Sequence, residues 1–123
     1  MTLGRLAPKA LKDAIPIAKM RGLIQLAARG PERIFDINIF SKIPVSYIRV
    51  GFAPEILASL AEISADFKEE IRRLRLIARD AAITVELWIR SRHGTWRFFL
   101  VTEKDLIELD RNGWPLRTAG TAN

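Results

Sequence analysis

Within residues 33–40 the chain alternates from Phe35 to Ile39. Phe35, Ile37 and Ile39 are apolar and are separated by Asp36 and Asn38, a period of two that predicts a strand. Residues 41–44 read as a short turn. Residues 45–52 form a second predicted strand, rich in β-branched and aromatic residues. Ile48, Val50 and Phe52 share one of its faces, and Val45, Tyr47, Arg49 and Gly51 share the other. The short connection makes the pair an antiparallel hairpin.

The period then changes. Over residues 54–78, Ile56, Leu60, Ile63, Phe67, Ile71, Leu74 and Ala78 recur every three or four positions, which predicts one long amphipathic helix. Glu69 and Arg73 stand four apart with the acid first, a favourable surface pair. Arg72, Arg73, Arg75 and Arg79 crowd its last turns, where cations suit the helix dipole. Period two returns over residues 83–90. Residues 91–94 read as a turn and 95–101 as a fourth strand, apolar on both faces apart from Thr95 and Arg97. Residues 105–110 predict a short edge strand or a turn of helix.

Upstream, Ala10, Leu11, Ala14 and Ile15 have helical spacing, as do Met20, Leu23, Ile24 and Ala27, with Pro16 between the two sets. The helix either kinks at Pro16 or a second helix starts there. Gly30-Pro31 ends the helical region.

The expected fold is therefore α/β, in the order α-β-β-α-β-β around a mixed central sheet. The crossover through the long helix should make strands 45–52 and 83–90 parallel neighbours. A single domain over residues 1–117 and a frayed tail over 118–123 fit a chain of 123 residues.

Composition narrows the chemistry. With no cysteine, disulfides, thiol nucleophiles and cysteine-based zinc sites are excluded. No apolar run approaches the ~20 residues that span a bilayer, and Lys9, Lys12 and Asp13 interrupt any leader-like apolar stretch. The expectation is a cytoplasmic protein without a membrane partner. The net charge of +6 favours polyanionic partners, DNA or RNA first among them.

Glycine-rich phosphate loops are absent. His93, the only histidine, falls in a turn and reads as an exposed residue. Asp66, Glu69 and Glu70 stand beside arginines and lysine and read as a solvated helix face. Arg90, Arg92 and His93 cluster in one turn, followed by Trp96 and Arg97, a combination that suits phosphate contact and base stacking. Trp88, Trp96, Phe98 and Phe99 fit core packing equally well. Asp36 stands out as an acid within an apolar strand. Either it faces solvent with Asn38, or a rigid strand holds it for a metal ion.

Phe35-Asp36-Ile37, the following Tyr47-Ile48-Arg49-Val50, a helix, then Val85-Glu86-Leu87-Trp88 and Gly94-Thr95-Trp96-Arg97-Phe98-Phe99, together resemble the core of the PD-(D/E)XK superfamily. This is the fold of restriction endonucleases and Holliday-junction resolvases. The resemblance implies a restriction endonuclease-like core over about residues 30–101. It also implies an Asp on one strand and an acid-x-Lys on the next, converging on a magnesium ion that activates water and stabilises phosphate charge. Asp36 matches the first position. Arg49-Val50-Gly51 falls where the acid-x-Lys belongs, with arginine in place of the acid and glycine in place of the lysine. Residues 41–54 contain no Asp or Glu, and the N-terminal helix offers only Asp13. Arg49 could pair with Asp36 or bind phosphate directly.

The resemblance thus implies a nuclease-fold domain that has lost hydrolysis and needs no cofactor. It would bind nucleic acid through Arg49, Arg72, Arg73, Arg75, Arg90, Arg92 and Arg97. Two alternatives stand beside it. One is a protein-interaction or homodimerisation module. The other is a magnesium-dependent endonuclease using Asp36 with Glu86.

Overall fold

The computed structural model of the chain describes residues 8–28, 30, 32–41, 44–55, 59–77 and 82–116. Their elements, in order, are α1 (Pro8–Lys19), β1 (Leu23–Leu26), β2 (Ile37–Phe40), β3 (Val45–Phe52), α2 (Leu60–Asp66), α3 (Lys68–Leu74), β4 (Ile83–Arg90), β5 (Trp96–Val101) and β6 (Leu106–Leu109). The six strands form one sheet in sequence order, β1-β2-β3-β4-β5-β6. Only the β3–β4 ladder is parallel, with Val45 opposite Ile83 and Phe52 opposite Arg90. The mixed sheet and its parallel crossover are as the sequence predicts. The tail beyond residue 116 lies outside the described residues.

The strands place alternate residues on opposite faces, and each face carries its own core. Ala10, Ala14, Ile17 and Ala18 of α1 cover Ile37, Ile39, Ile48, Val50, Trp88 and Phe98. Ile63, Phe67, Ile71 and Leu74 cover Val85, Leu87, Ile89, Phe99, Val101 and Leu106 on the other side. The result is a three-layer α/β/α arrangement. Burial on both faces explains why β5 is nearly continuous in apolar residues. Trp88 is fully buried, and Trp96 stacks on Phe98 at a centroid distance of 6.1 Å, so both belong to packing rather than to an open stacking platform.

Three expectations are corrected. First, Leu23 and Ile24 are not helical. They lie in the additional strand β1, which pairs antiparallel with β2. Gly22 makes this turn-out feasible, because a Cβ there would lie 2.6 Å from the Phe40 carbonyl oxygen. Pro16 neither starts a new helix nor breaks α1; it lies one turn from the helix end on the exposed side. The carbonyl it leaves without a donor can therefore be reached by water.

Second, the helix expected over 54–78 is two seven-residue helices that meet at Phe67. Phe67 has φ −112° and ψ 29°, outside the helical range. Hydrogen bonds nevertheless run on through it, from Phe67 N–H to the Ile63 carbonyl and from Ile71 N–H to the Phe67 carbonyl. The start of α2 is set by a capping box. Ser59 Oγ accepts from Glu62 N–H at 3.2 Å, and Ser59 N–H donates to Glu62 Oε1 at 2.9 Å. Leu60 is exposed and outside the core stripe, while Ile56, Ala78 and Arg79 lie outside the described residues.

Third, the first strand is shorter than expected, starting at Ile37; residues 105–110 hold the edge strand β6, one of the two expected alternatives. Among the described residues no helix is long and apolar enough to cross a membrane.

Candidate functional site

Asp36 sits immediately before β2. Its own N–H donates to the Ile48 carbonyl at 2.7 Å, and its carbonyl accepts from Ala27 N–H at 2.9 Å. The backbone is thus held by both neighbouring strands. Its side chain projects opposite to Ile37, toward the α2–α3 face, and is buried, with a residue exposure of 2%. The solvent-facing alternative for Asp36 is therefore overturned.

The carboxylate is surrounded by protein partners. Oδ2 accepts from Val50 N–H at 2.7 Å. Oδ1 lies 2.6 Å from Arg33 Nε and 3.8 Å from Arg49 Nη1. Neither Arg33 Nε nor Asp36 Oδ1 has a well-aligned hydrogen bond, so their attraction is chiefly one of charge. Arg49 also donates to the Arg33 carbonyl at 3.4 Å. Burial holds the Arg49 guanidinium below its ordinary pKa, opposed first by the nearby Asp36 carboxylate; Arg33 and Arg73 push down further and Glu70 pushes back.

Two residues of the crossover helices complete the site. Glu70 of α3 acts on Arg49 electrostatically, and its Oε1 is buried without a hydrogen-bond partner. This corrects its reading as part of a solvated face. Arg73 Nη2 donates to the Glu32 carbonyl at 2.7 Å and ties α3 to the loop before Asp36. Sequence periodicity shows Glu70 only as a polar position. The signal that pointed here was a different one, an acid, Asp36, in an apolar run.

The position where the resemblance calls for lysine is filled from above. A Cβ on Gly51 would lie 2.6 Å from Cε1 of Phe67. That is closer than carbon atoms approach without displacement. Gly51 is therefore the residue that lets the Phe67 ring lie against β3, and the break between α2 and α3 falls at the same residue. A glycine inside an otherwise β-branched strand was the legible sign of such a close approach.

These residues do not fit a magnesium ion. A hard cation needs several oxygen donors, and Asp36 gives one oxygen to a backbone N–H and faces two guanidiniums with the other. Among the described residues no group of three or more His, Asp or Glu side chains could hold a metal. The alternative that joined Asp36 to Glu86 fails on topology, since β4 alternates and Glu86 points to the α1 face. There it accepts from Arg21 Nη1 and Nη2, each at 2.9 Å, and from Trp88 Nε1 at 2.9 Å. Asp13, the only acid of α1, is on that face as well, 2.9 Å from Arg90 Nε.

The arginines expected at phosphates are dispersed. Arg49 and Arg90 are buried and cannot reach a phosphate on the surface, which corrects both expectations. Arg97 forms a two-pronged pair with Glu108 at 2.8 and 2.7 Å and lies over the Phe99 ring. Arg75 Nε donates to the Thr102 carbonyl at 2.8 Å. Arg72 pairs with Glu69, and this exposed guanidinium holds the Glu69 carboxyl below the usual range. Arg92 and His93 are exposed in the β4–β5 turn.

No family model matches the sequence. No curated protein matches it either. Among solved structures, the chain is similar to Hjc, a Holliday junction resolvase from the archaeal hyperthermophile Archaeoglobus fulgidus. The TM-score is 0.55 at 18% identity, over 88% of this chain and 91% of that one. The six-stranded mixed sheet, its parallel crossover and the helices on both faces thus constitute the α/β fold of that resolvase, a restriction endonuclease-like fold in which a guanidinium and a phenyl ring occupy the ground around the strand acid.

Proposed function

We propose that this chain is a nuclease-fold domain that binds nucleic acid without cleaving it. The observation that carries the reading is the pairing of Asp36 with Arg33 and Arg49, with the Phe67 ring packed against Gly51. This arrangement leaves a nuclease-like framework and takes away the carboxylates and lysine that hydrolysis would use. The similarity to a Holliday junction resolvase and the net charge of +6 support DNA as the partner. Binding would use the exposed arginines of α3 and of the β4–β5 turn. Arg72 meets Glu69 on the exposed surface, where ion pairs are weak, so a phosphate can replace the carboxylate.

The test is a mobility-shift titration on a four-way DNA junction, a duplex and an RNA hairpin, with a parallel cleavage assay in magnesium. Binding that weakens steeply with salt is expected, with no cleavage product. Magnesium-dependent cleavage that disappears in Asp36→Asn would overturn the reading, and so would the absence of any shift at low salt.

A second reading has one specific observation in its favour. Leu23 is 77% exposed and lies opposite Phe40, itself partly exposed, on the edge of the sheet. Edge strands with apolar side chains invite pairing with another chain. Light scattering would then give twice the chain mass, and Leu23→Lys would return the protein to a monomer. A wild-type monomer at high concentration removes this reading.

A further inference from the structure

Trp114 is the one tryptophan open to solvent, with an exposure of 70%, while Trp88 is fully buried and Trp96 half-buried. It stands in a braced turn after β6. Asp110 Oδ1 accepts from the N–H groups of Asn112 at 2.8 Å and Trp114 at 3.0 Å, and Asp110 N–H donates to the Trp114 carbonyl at 2.7 Å. Gly113 has φ +94°, in the region that favours glycine, and a Cβ there would lie 2.8 Å from Arg21 Nη2. Beyond the turn, Leu116 N–H donates to the Glu108 carbonyl at 2.9 Å. The indole is therefore presented on a fixed backbone.

Glu86 is consumed by Arg21 and Trp88, and Glu108 by Arg97. Asp110 is engaged by backbone N–H groups. Arg111, beside Trp114 in the chain, is exposed and lies 6.0 Å from the Phe98 ring. A rigid, exposed aromatic ring next in the chain to an exposed arginine turn suits an unpaired nucleobase and its phosphates. Every base offers a π-face to stack on, and arginine or lysine supplies the backbone contact. A paired duplex keeps its bases stacked on one another.

Resting on the proposed nucleic-acid binding, we propose that Trp114 is a stacking site for an unpaired base, with Arg111 on an adjoining phosphate. The probes are a single-stranded oligothymidylate and a blunt duplex of equal length. Oligothymidylate is expected to quench the fluorescence of the exposed tryptophan. Trp114→Ala should weaken oligothymidylate binding by roughly tenfold and leave the duplex within about twofold. Trp114→Phe, which keeps a ring, should retain most of the affinity. Unchanged oligothymidylate binding by Trp114→Ala, or equal losses on both probes, overturns the site and leaves the proposed function standing. A wild-type protein that binds neither probe nor any other nucleic acid overturns both. Loss of a dimer in Trp114→Ala with unchanged binding assigns the surface to self-association and overturns the site.

Discussion

Replacing Asp36 with alanine is expected to lower the free energy of unfolding by about 3–5 kcal/mol, the usual consequence of removing one partner from a buried ion pair. Three groups lose their counterpart at once. Arg49, almost fully buried, keeps its charge without the nearest carboxylate. Arg33 loses its 2.6 Å contact. Val50 N–H, in the middle of β3, loses its acceptor. Urea unfolding monitored by circular dichroism gives the value directly. Arg49→Leu should be far milder than Asp36→Ala, because it removes a buried charge and leaves the acid with Arg33 and Val50. A loss below about 1 kcal/mol for Asp36→Ala would show that the acid is not a structural keystone. Carboxylates kept for metal chemistry behave differently, since they are held apart at a cost that their removal relieves.

The second large effect concerns Gly51 and Phe67. Gly51→Lys is expected to destabilise the fold by about 3 kcal/mol or more. It drives a side chain into the Phe67 ring, 2.6 Å from the first atom added, and overpacking alone costs about 1–3 kcal/mol. Phe67→Ala empties the same space and should cost about 3–5 kcal/mol. The two changes share one volume, so they should not add. The double variant is expected to be more stable than the sum of the single losses by about 1–3 kcal/mol, within the range for residues in contact. Simple additivity in denaturant melts would mean that Phe67 does not occupy the place a side chain at 51 would take.

Much of this was legible in the residues, and the failures have physical causes. β-Branched and aromatic content in 45–52 and alternation in 83–90 give two strands, and a helical stretch between them makes them parallel. The missing acid-x-Lys after Asp36 was visible as Arg49 and Gly51. β1 escaped because Leu23, Ile24 and Ala27 fit a helix as well as a strand, and four residues cannot decide between periods of 3.6 and two. The choice is made by tertiary pairing with β2. The split of the crossover helix escaped because the apolar stripe continues through Phe67; only the backbone torsions change there. Glu70 and Arg33 were hidden for another reason. Their part in the site depends on α3 and the loop before β2 meeting over β3, which no local pattern encodes. The arginines misled in the opposite sense. Arg49 and Arg90 look like surface charge in sequence, yet each spends its charge on a buried or half-buried carboxylate.

The sheet's order has a kinetic consequence. Each strand lies beside its neighbour in the chain, and four of the five ladders are antiparallel. Antiparallel neighbours can zip from short loops, with little entropy lost in closure. The β3–β4 ladder alone must wait until a long connection has curled back on itself. The two ends of the sheet can therefore begin as separate nuclei, β1–β3 and β4–β6, and the parallel seam joins them. That seam is the late, slow event in folding, and it is where a mutation would change the rate at which the protein forms rather than the rate at which it comes apart.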